Sequence, residues 1–400
     1  MKAMSTFANE RRSRFVRETL TTRTVAFLLI GAVIAVLGLF LRGPVILAWR
    51  LAFALIVLFY AGTYLFPASG KYYRKKVRWY LVTFAIALAL NFLLPRMIPG
   101  NPVDIMIQEI VSGIQDSSKA AVYKQQYIKS LGLDKGILEQ FFLYVSNMLQ
   151  GDLGVSFTES RPVTEILSSK IPWSVAIMLP SIVVGWVVGN LLGAVTAYKK
   201  GLFDKIIFPA ALFLSSIPSF ILAMMLLLWL GVGLRWFPVL GGYNTLIVDK
   251  TSMVYYRSLF EHWTLPFLSQ SLINIGGQAI GMRSMSLYEL NADYVLYAKL
   301  LGIRDKKVTR YVFRNAMLPQ VSGLALSLGA MVTGSTLIEI VFGYPGIGLQ
   351  LMQAIRNIDY PLISGCTLII SVTMLLANFL IDVIYGLIDP RVRSAQVEEG

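Results

Sequence analysis

The sequence predicts an all-α fold, a polytopic transmembrane helix bundle, and three observations predict it. Charged residues make up only 14% of the 400 and hydrophobic ones 56%, where water-soluble domains carry about 25% charged. The apolar excess is gathered into long blocks, and a helix needs about 20 such residues to cross a bilayer core. Basic residues cluster between alternate blocks, as the positive-inside bias requires.

The blocks fall near 25–41, 45–66, 78–98, 173–197, 206–233, 263–283, 319–341 and 363–387, giving about eight spans. Arg11, Arg12, Arg14, Arg17 and Arg23 precede the first, and Lys71, Arg74, Lys75, Lys76 and Arg78 separate the second from the third. Lys199, Lys200 and Lys205 follow the fourth, Lys306, Lys307, Arg310 and Arg314 the sixth, and Arg391 and Arg393 the last. Eight crossings place all of these, with both termini, in the cytoplasm. The net charge of +14 is read as the same bias, since nucleic-acid binding calls for a soluble basic domain. The polar start "MKAMSTFANERRSRFVRETLTTR" is unlike a cleavable signal peptide, whose apolar stretch comes earlier.

Residues 1–70 read as a cytoplasmic tail and an extra N-terminal hairpin, 71–390 as the transmembrane domain, and 391–400 as a second cytoplasmic tail. In the hairpin, "LRGPVILAWR" is either a tight outer turn with Arg50 snorkelling to the interface or part of an interfacial helix that does not cross. Segment 99–172 forms an extracytoplasmic helical cap. Within it "DSSKAAVYKQQYIKSLGL" is one amphipathic helix, with Ser117 or Ser118 as N-cap. "DKGILEQFFLYVSNMLQGDLG" is a second, ended by Gly151 and Gly154. Covering a pore mouth and packing on the helix ends both remain open for it.

The residues needed for chemistry are scarce. Cys366 is the single cysteine, so no disulfide forms within the chain. His262 is the single histidine, too few for a His/Cys metal set. Nothing matches the P-loop pattern that cradles ATP phosphates. An intramembrane hydrolase needs paired aspartates, a metal set or a nucleophile–base pair. A secondary transporter calls for mid-span ionisable residues or matching half-repeats. Polar residues inside the blocks are Asn91, Asn190, Ser269, Gln270, Gln278, Thr333, Ser335 and Glu339. Each either joins helices by hydrogen bonds or faces a pathway; Asn190, Gln278, Ser335 and Glu339 are the candidates for a pathway or gate. "GYPGIG", residues 343–348, has turn composition.

The most informative stretch is "YAKLLGIRDKKVTRYVFRNAMLPQV", residues 297–321. After Gly302, Val308, Tyr311, Val312 and Ala316 recur as one apolar stripe, and Lys306, Arg310 and Arg314 form a basic line at four-residue spacing. Asp305 suits the positive end of a helix, and Pro319 marks a restart or bend at the next span. Before Gly302, "SLYELNADYVLYAKLL" reads as a short helix with Leu287, Leu290, Tyr294 and Leu301 on one side. Gly302 is then a corner in a cytoplasmic loop over 284–318, since glycine takes positive φ at little cost. A helix lying on headgroups and a docking element for a cytoplasmic partner both fit these residues.

This stretch resembles the coupling loop of ABC-importer permeases of the dipeptide/oligopeptide/nickel family. The residues that carry the resemblance are Asp293, Tyr294, Ala298, Gly302, Arg314, Asn315, Ala316 and Pro319. "LPRMIPGNPVDIM", "LGLDKGILEQFFLYVSNMLQGDLGVSF" and "IEIVFGYPGIGLQLMQAIRNIDYPLISG" resemble other segments of that family in the same order, so the likeness covers roughly residues 78–390. Lys299, where an arginine is common, Leu301 before the glycine, and the hairpin in 1–70 are departures.

The resemblance implies a six-span type I ABC importer permease core with the extra N-terminal hairpin added. It implies a prokaryotic cell membrane location and a non-catalytic subunit that binds no cofactor, with ATP and Mg on partner subunits. The implied partners are a second homologous permease, two ABC ATPase subunits and an extracytoplasmic solute-binding protein. It assigns ATPase coupling to Asp293, Tyr294, Ala298, Gly302, Arg310, Arg314, Asn315 and Pro319. Peptides are the first expected cargo, with oligosaccharides or nickel chelates the alternatives.

Overall fold

The computed structural model describes residues 67–97, 135–199 and 201–388. The expected hairpin at 25–66, the first cap helix and the 391–400 tail lie outside the described residues. Within them, regular structure is helical: α1 Pro67–Met97, α2 Ile137–Gln150, α3 Val163–Tyr198, α4 Leu202–Ser216, α5 Ser219–Leu226, α6 Met253–Leu290, α7 Asp293–Leu300, α8 Asp305–Val341, α9 Ile347–Arg356 and α10 Tyr360–Ile388. A π turn, Leu227–Gly233, prolongs α5.

Three of these are long and apolar enough to cross a membrane: Arg74–Leu93 of α1, all of α3, and Tyr360–Phe379 of α10. The block expected as one span at 206–233 is instead broken, with α4 and α5 bent by 106°. The cause is local. Pro218 forces the residue before it out of the helical region, and Ile217 sits at φ −83, ψ 128. The segment α6, at 38 residues, and α8, at 37, are long enough to cross but more polar.

Three boundaries differ from expectation. The helix α3 starts at Val163, ten residues before the span expected from 173. The region 284–318 is mostly helix: α6 continues to Leu290 and α8 begins at Asp305. The residue Pro319 lies inside α8 and does not restart it. A proline removes one ladder bond, and transmembrane helices tolerate that where neighbours satisfy the freed carbonyl.

The described chain divides into two compact units. In the unit holding residues 172–349, α3 lies on α6 through glycines spaced four apart. A Cβ on Gly185 would overlap Asn274, on Gly189 Gln278, and on Gly193 the Ala279 carbonyl oxygen. Two residues before each of those glycines, Val183, Val187 and Leu191 are exposed, forming an apolar outer stripe suited to lipid. Being apolar all round marks α3 as a membrane helix. The other side of α6 meets α4, where Arg283 grips Asp204 through two bonds of 2.8 and 2.9 Å. The same guanidinium lies 4.0 Å from the centre of the Phe208 ring.

The unit holding residues 67–97, 135–171 and 350–375 packs Leu88, Met148 and Leu368 together. Asn91 joins three helices. Its amide donates to the Tyr144 hydroxyl at 3.1 Å and the Ser364 carbonyl at 2.9 Å, and its oxygen accepts from Thr367. For Asn91 the helix-joining reading of an in-span polar residue therefore holds. The fully buried Asp359 accepts from the Ser156 and Thr158 hydroxyls at 2.5 and 2.8 Å and from the Leu362 N–H at 3.2 Å. That network ties the α2–α3 loop to the α9–α10 corner. There Ile358 takes φ 55, a conformation that costs a non-glycine residue about 1–3 kcal/mol.

Candidate coupling surface

The helix α6 ends at Asn291, and Ala292 at φ −75, ψ 147 turns the chain into the eight-residue α7. The far end of α7 is closed by a Schellman motif. The Gly302 N–H reaches the Lys299 carbonyl and the Ile303 N–H reaches Ala298, both at 3.0 Å. This motif needs a left-handed residue, and Gly302 supplies it at φ 71. The predicted corner is therefore present, between α7 and α8. The break at 291–292 splits the stretch that reads as one short helix before Gly302.

The inner face of α7 is fixed. Val295 and Ala298 pack on Val308 and Val312 of α8, with Tyr198, Leu290, Tyr294 and Ile303 around them. Ala316 is also fully buried. The expected stripe on α8 holds except at Tyr311, which is exposed. Leu301 departs likewise: it is 78% exposed, while Leu290 and Tyr294 join the core. The Tyr294 hydroxyl donates to Glu289 at 2.6 Å and is hydrogen-bonded to Asn315. Burial, then the Glu289 hydrogen bond, pushes Tyr294 up to about 12, so its proton stays in place to make that bond. The Tyr198 hydroxyl donates to the Thr309 carbonyl at 3.0 Å, locking the end of α3 onto α8.

The outer face of α7 is apolar and open. Leu296, Tyr297 and Leu300 are 58%, 66% and 74% exposed. Exposed Lys299 shares α7 with it, and exposed Arg304, Lys306, Lys307, Arg310 and Arg314 follow along α8, with Asp293 and Asp305 also exposed. An exposed cluster of large apolar side chains is a mark of an interaction surface. Of the coupling residues expected from sequence, Ala298, Tyr294 and Asn315 hold α7 in place and Gly302 makes its corner. Arg310 and Arg314 lie on the surface, and Pro319 is further along α8. The apolar face itself was not singled out by the sequence reading, although the paired leucines before Gly302 carry the signal.

The pathway candidates lie on three helices, α3, α6 and α8. The Asn190 side chain is buried and donates to the Trp186 carbonyl of its own helix at 2.7 Å. Gln278 is half-buried on α6, where it meets Gly189. Ser335 and Glu339 are buried one turn apart on α8.

Comparison with known proteins agrees with this architecture. The family described as "Binding-protein-dependent transport system inner membrane component" matches residues 189–394, a range that contains the whole coupling surface. The di/tripeptide transport system permease protein DppB of Pseudomonas aeruginosa is 32% identical over 326 residues, covering 78% of this chain and 95% of that protein. The putative peptide permease protein BOV_A0351 of Brucella ovis is 33% identical, covering 78% and 97%. The glutathione transport system permease protein GsiC of Pectobacterium atrosepticum is 30% identical, covering 80% and 98%. The resemblance to peptide-type ABC-importer permeases thus holds along most of the chain. The chain belongs to the binding-protein-dependent transport system inner membrane component family, as a multi-pass transport subunit of the bacterial inner membrane.

Proposed function

We propose that this chain is one of two related permeases lining the pathway of an ATP-driven peptide importer, and that the α7 face seats an ATPase subunit. The observation that carries the reading is that face. It is apolar and exposed, and held in place by buried contacts behind it. A headgroup-lying helix needs no fixed corner at its end, and α7 has one at Gly302. Peptide cargo is carried over from the printed names of the relatives. An extracytoplasmic solute-binding protein delivers the cargo, two ATPase subunits bind ATP and Mg, and this chain binds neither. The basic clusters, α7 and both termini face the cytoplasm. Nucleotide drives transport to the extent that it favours one arrangement of the helices over another, and α7 is where that preference enters this chain.

The test is a mild-detergent pull-down of the tagged chain from its native membrane, with partners identified by mass. P-loop ATPases and a second permease are the expected companions. Recovery of the chain alone across several detergents would overturn the reading. The Gly302 corner gives a second check. Open space surrounds the position a Cβ would take, so substitution acts through the backbone, at about 1–2 kcal/mol for a left-handed L-residue. A Gly302→Val complex is expected to hydrolyse ATP with little uptake, and Gly302→Asn, which tolerates that conformation better, to keep more of it. Normal uptake by the valine variant would count against the corner's role.

A further inference from the structure

Glu339 lies in the last turn of α8 and is 1% exposed. Its carboxylate accepts the Gly348 N–H at 2.6 Å and further hydrogen bonds from the Leu349 N–H and the Ser174 hydroxyl. The Ser174 oxygen in turn accepts the Ile347 N–H at 2.8 Å. The first N–H groups of a helix have no partners within it. Those of α9, at 347–349, are taken up by a carboxylate from α8 and a hydroxyl from α3. The site is closed to anything larger: a Cβ on Gly346 or Gly348 would overlap the Glu339 carboxyl group. The turn between the helices is held as well, since the Tyr344 N–H donates to the Glu339 carbonyl at 2.8 Å and the Gly241 N–H to Phe342 at 2.9 Å.

From its sequence position Glu339 could line a gate or cap a structural network, and its contacts favour the second. The helix α8 packs on α7 at one end and ends in this cage at the other. Its 37 residues make a rod of about 55 Å. We propose that Glu339 is a positioning residue that ties the start of α9 and the 342–346 turn to α8. Displacement of α8 at its α7 end then moves that turn with it during transport. The proposal rests on the importer reading above. Every neighbour named around the carboxylate is a donor, so glutamine at 339 keeps the size but turns an NH2 group toward donors.

The experiment reconstitutes the complex in proteoliposomes with its binding protein and labelled alanyl-alanine, and reads ATP hydrolysed per peptide moved. Glu339→Gln is expected to raise that ratio roughly ten- to a hundredfold, the range set by losing a buried charged hydrogen bond. Ser174→Ala, which removes one donor, should raise it less, and both complexes should retain their ATPase subunits. A wild-type ratio in the recovered Glu339→Gln complex overturns the proposal, because a purely structural role would lower yield or thermal stability and leave the ratio of the survivors alone. If Glu339→Gln is not recovered, Ser174→Ala decides on the same ratio. A wild-type complex that couples no hydrolysis to peptide uptake overturns the peptide-importer reading and this proposal with it, so the two failures are told apart.

Discussion

Replacing Gly193 by alanine is expected to destabilise the folded chain by about 1–3 kcal/mol, while the same replacement at Gly277 leaves it unchanged or raises it by a few tenths. Both glycines are inside helices, so alanine improves intrinsic helix propensity at each. What differs is the space. At Gly193 the added carbon overlaps the Ala279 carbonyl oxygen and crowds Met282. A backbone oxygen cannot rotate aside, and Met282 is fully buried against Ala194 and Ala316, so α3 and α6 must separate. Separation would also loosen Gly189 and Gly185, which meet the same face of α6 one and two turns away. Close backbone approach through small residues is the main attraction between helices in lipid, where burial of apolar surface gives little. At Gly277 open space surrounds the same position. The measurement is the temperature at which fluorescently tagged, detergent-solubilised chain leaves its monodisperse peak. Equal midpoints for the two variants would sink the close-packing account.

Among the described residues hydropathy located the apolar helices α1, α3 and α10, because a long apolar block is a direct consequence of the bilayer. It could not see the 106° bend between α4 and α5, since Pro218 sits inside a stretch that stays apolar on both sides. The loop boundaries failed for the opposite reason. Helical periodicity runs through Asn291 without a glycine or proline to punctuate it, and α8 carries its pattern straight through Pro319. The stripe of Val308, Val312 and Ala316 was legible because it packs within one neighbourhood. Tyr311 and Leu301 were not, because periodicity gives a direction around the helix and says nothing of where the covering element ends. The Glu339 cage was the least legible feature: its donors come from the start of α9 and from Ser174, remote in sequence, and only the tertiary arrangement brings them together.

Leu300→Glu is expected to strip the ATPase subunits from the complex while leaving this chain folded. Leu300 is 74% exposed on the face of α7 opposite Val295 and Ala298, so the substitution removes nothing from the core that holds α7 on α8. If an ATPase covers this face, a buried leucine is replaced by a carboxylate without a partner at the centre of an interface. Central apolar anchors contribute about 2 kcal/mol or more, which is roughly a thirtyfold weaker association before the desolvation of the charge is counted. Charge reversal along α8 should do less. Arg310→Glu and Arg314→Glu alter exposed residues, whose ion pairs contribute about 0–1 kcal/mol, and their effect should shrink as salt rises. The comparison needs a control of the same chemistry elsewhere, and Val248→Glu, at a position 94% exposed, serves. The ATPase recovered per tagged chain, measured at low and at high salt, separates the cases. Loss in Leu300→Glu at both salts with the Val248 variant intact would place the partner on α7. Full recovery of ATPase with Leu300→Glu would move the docking site off this face and return α7 to the lipid surface.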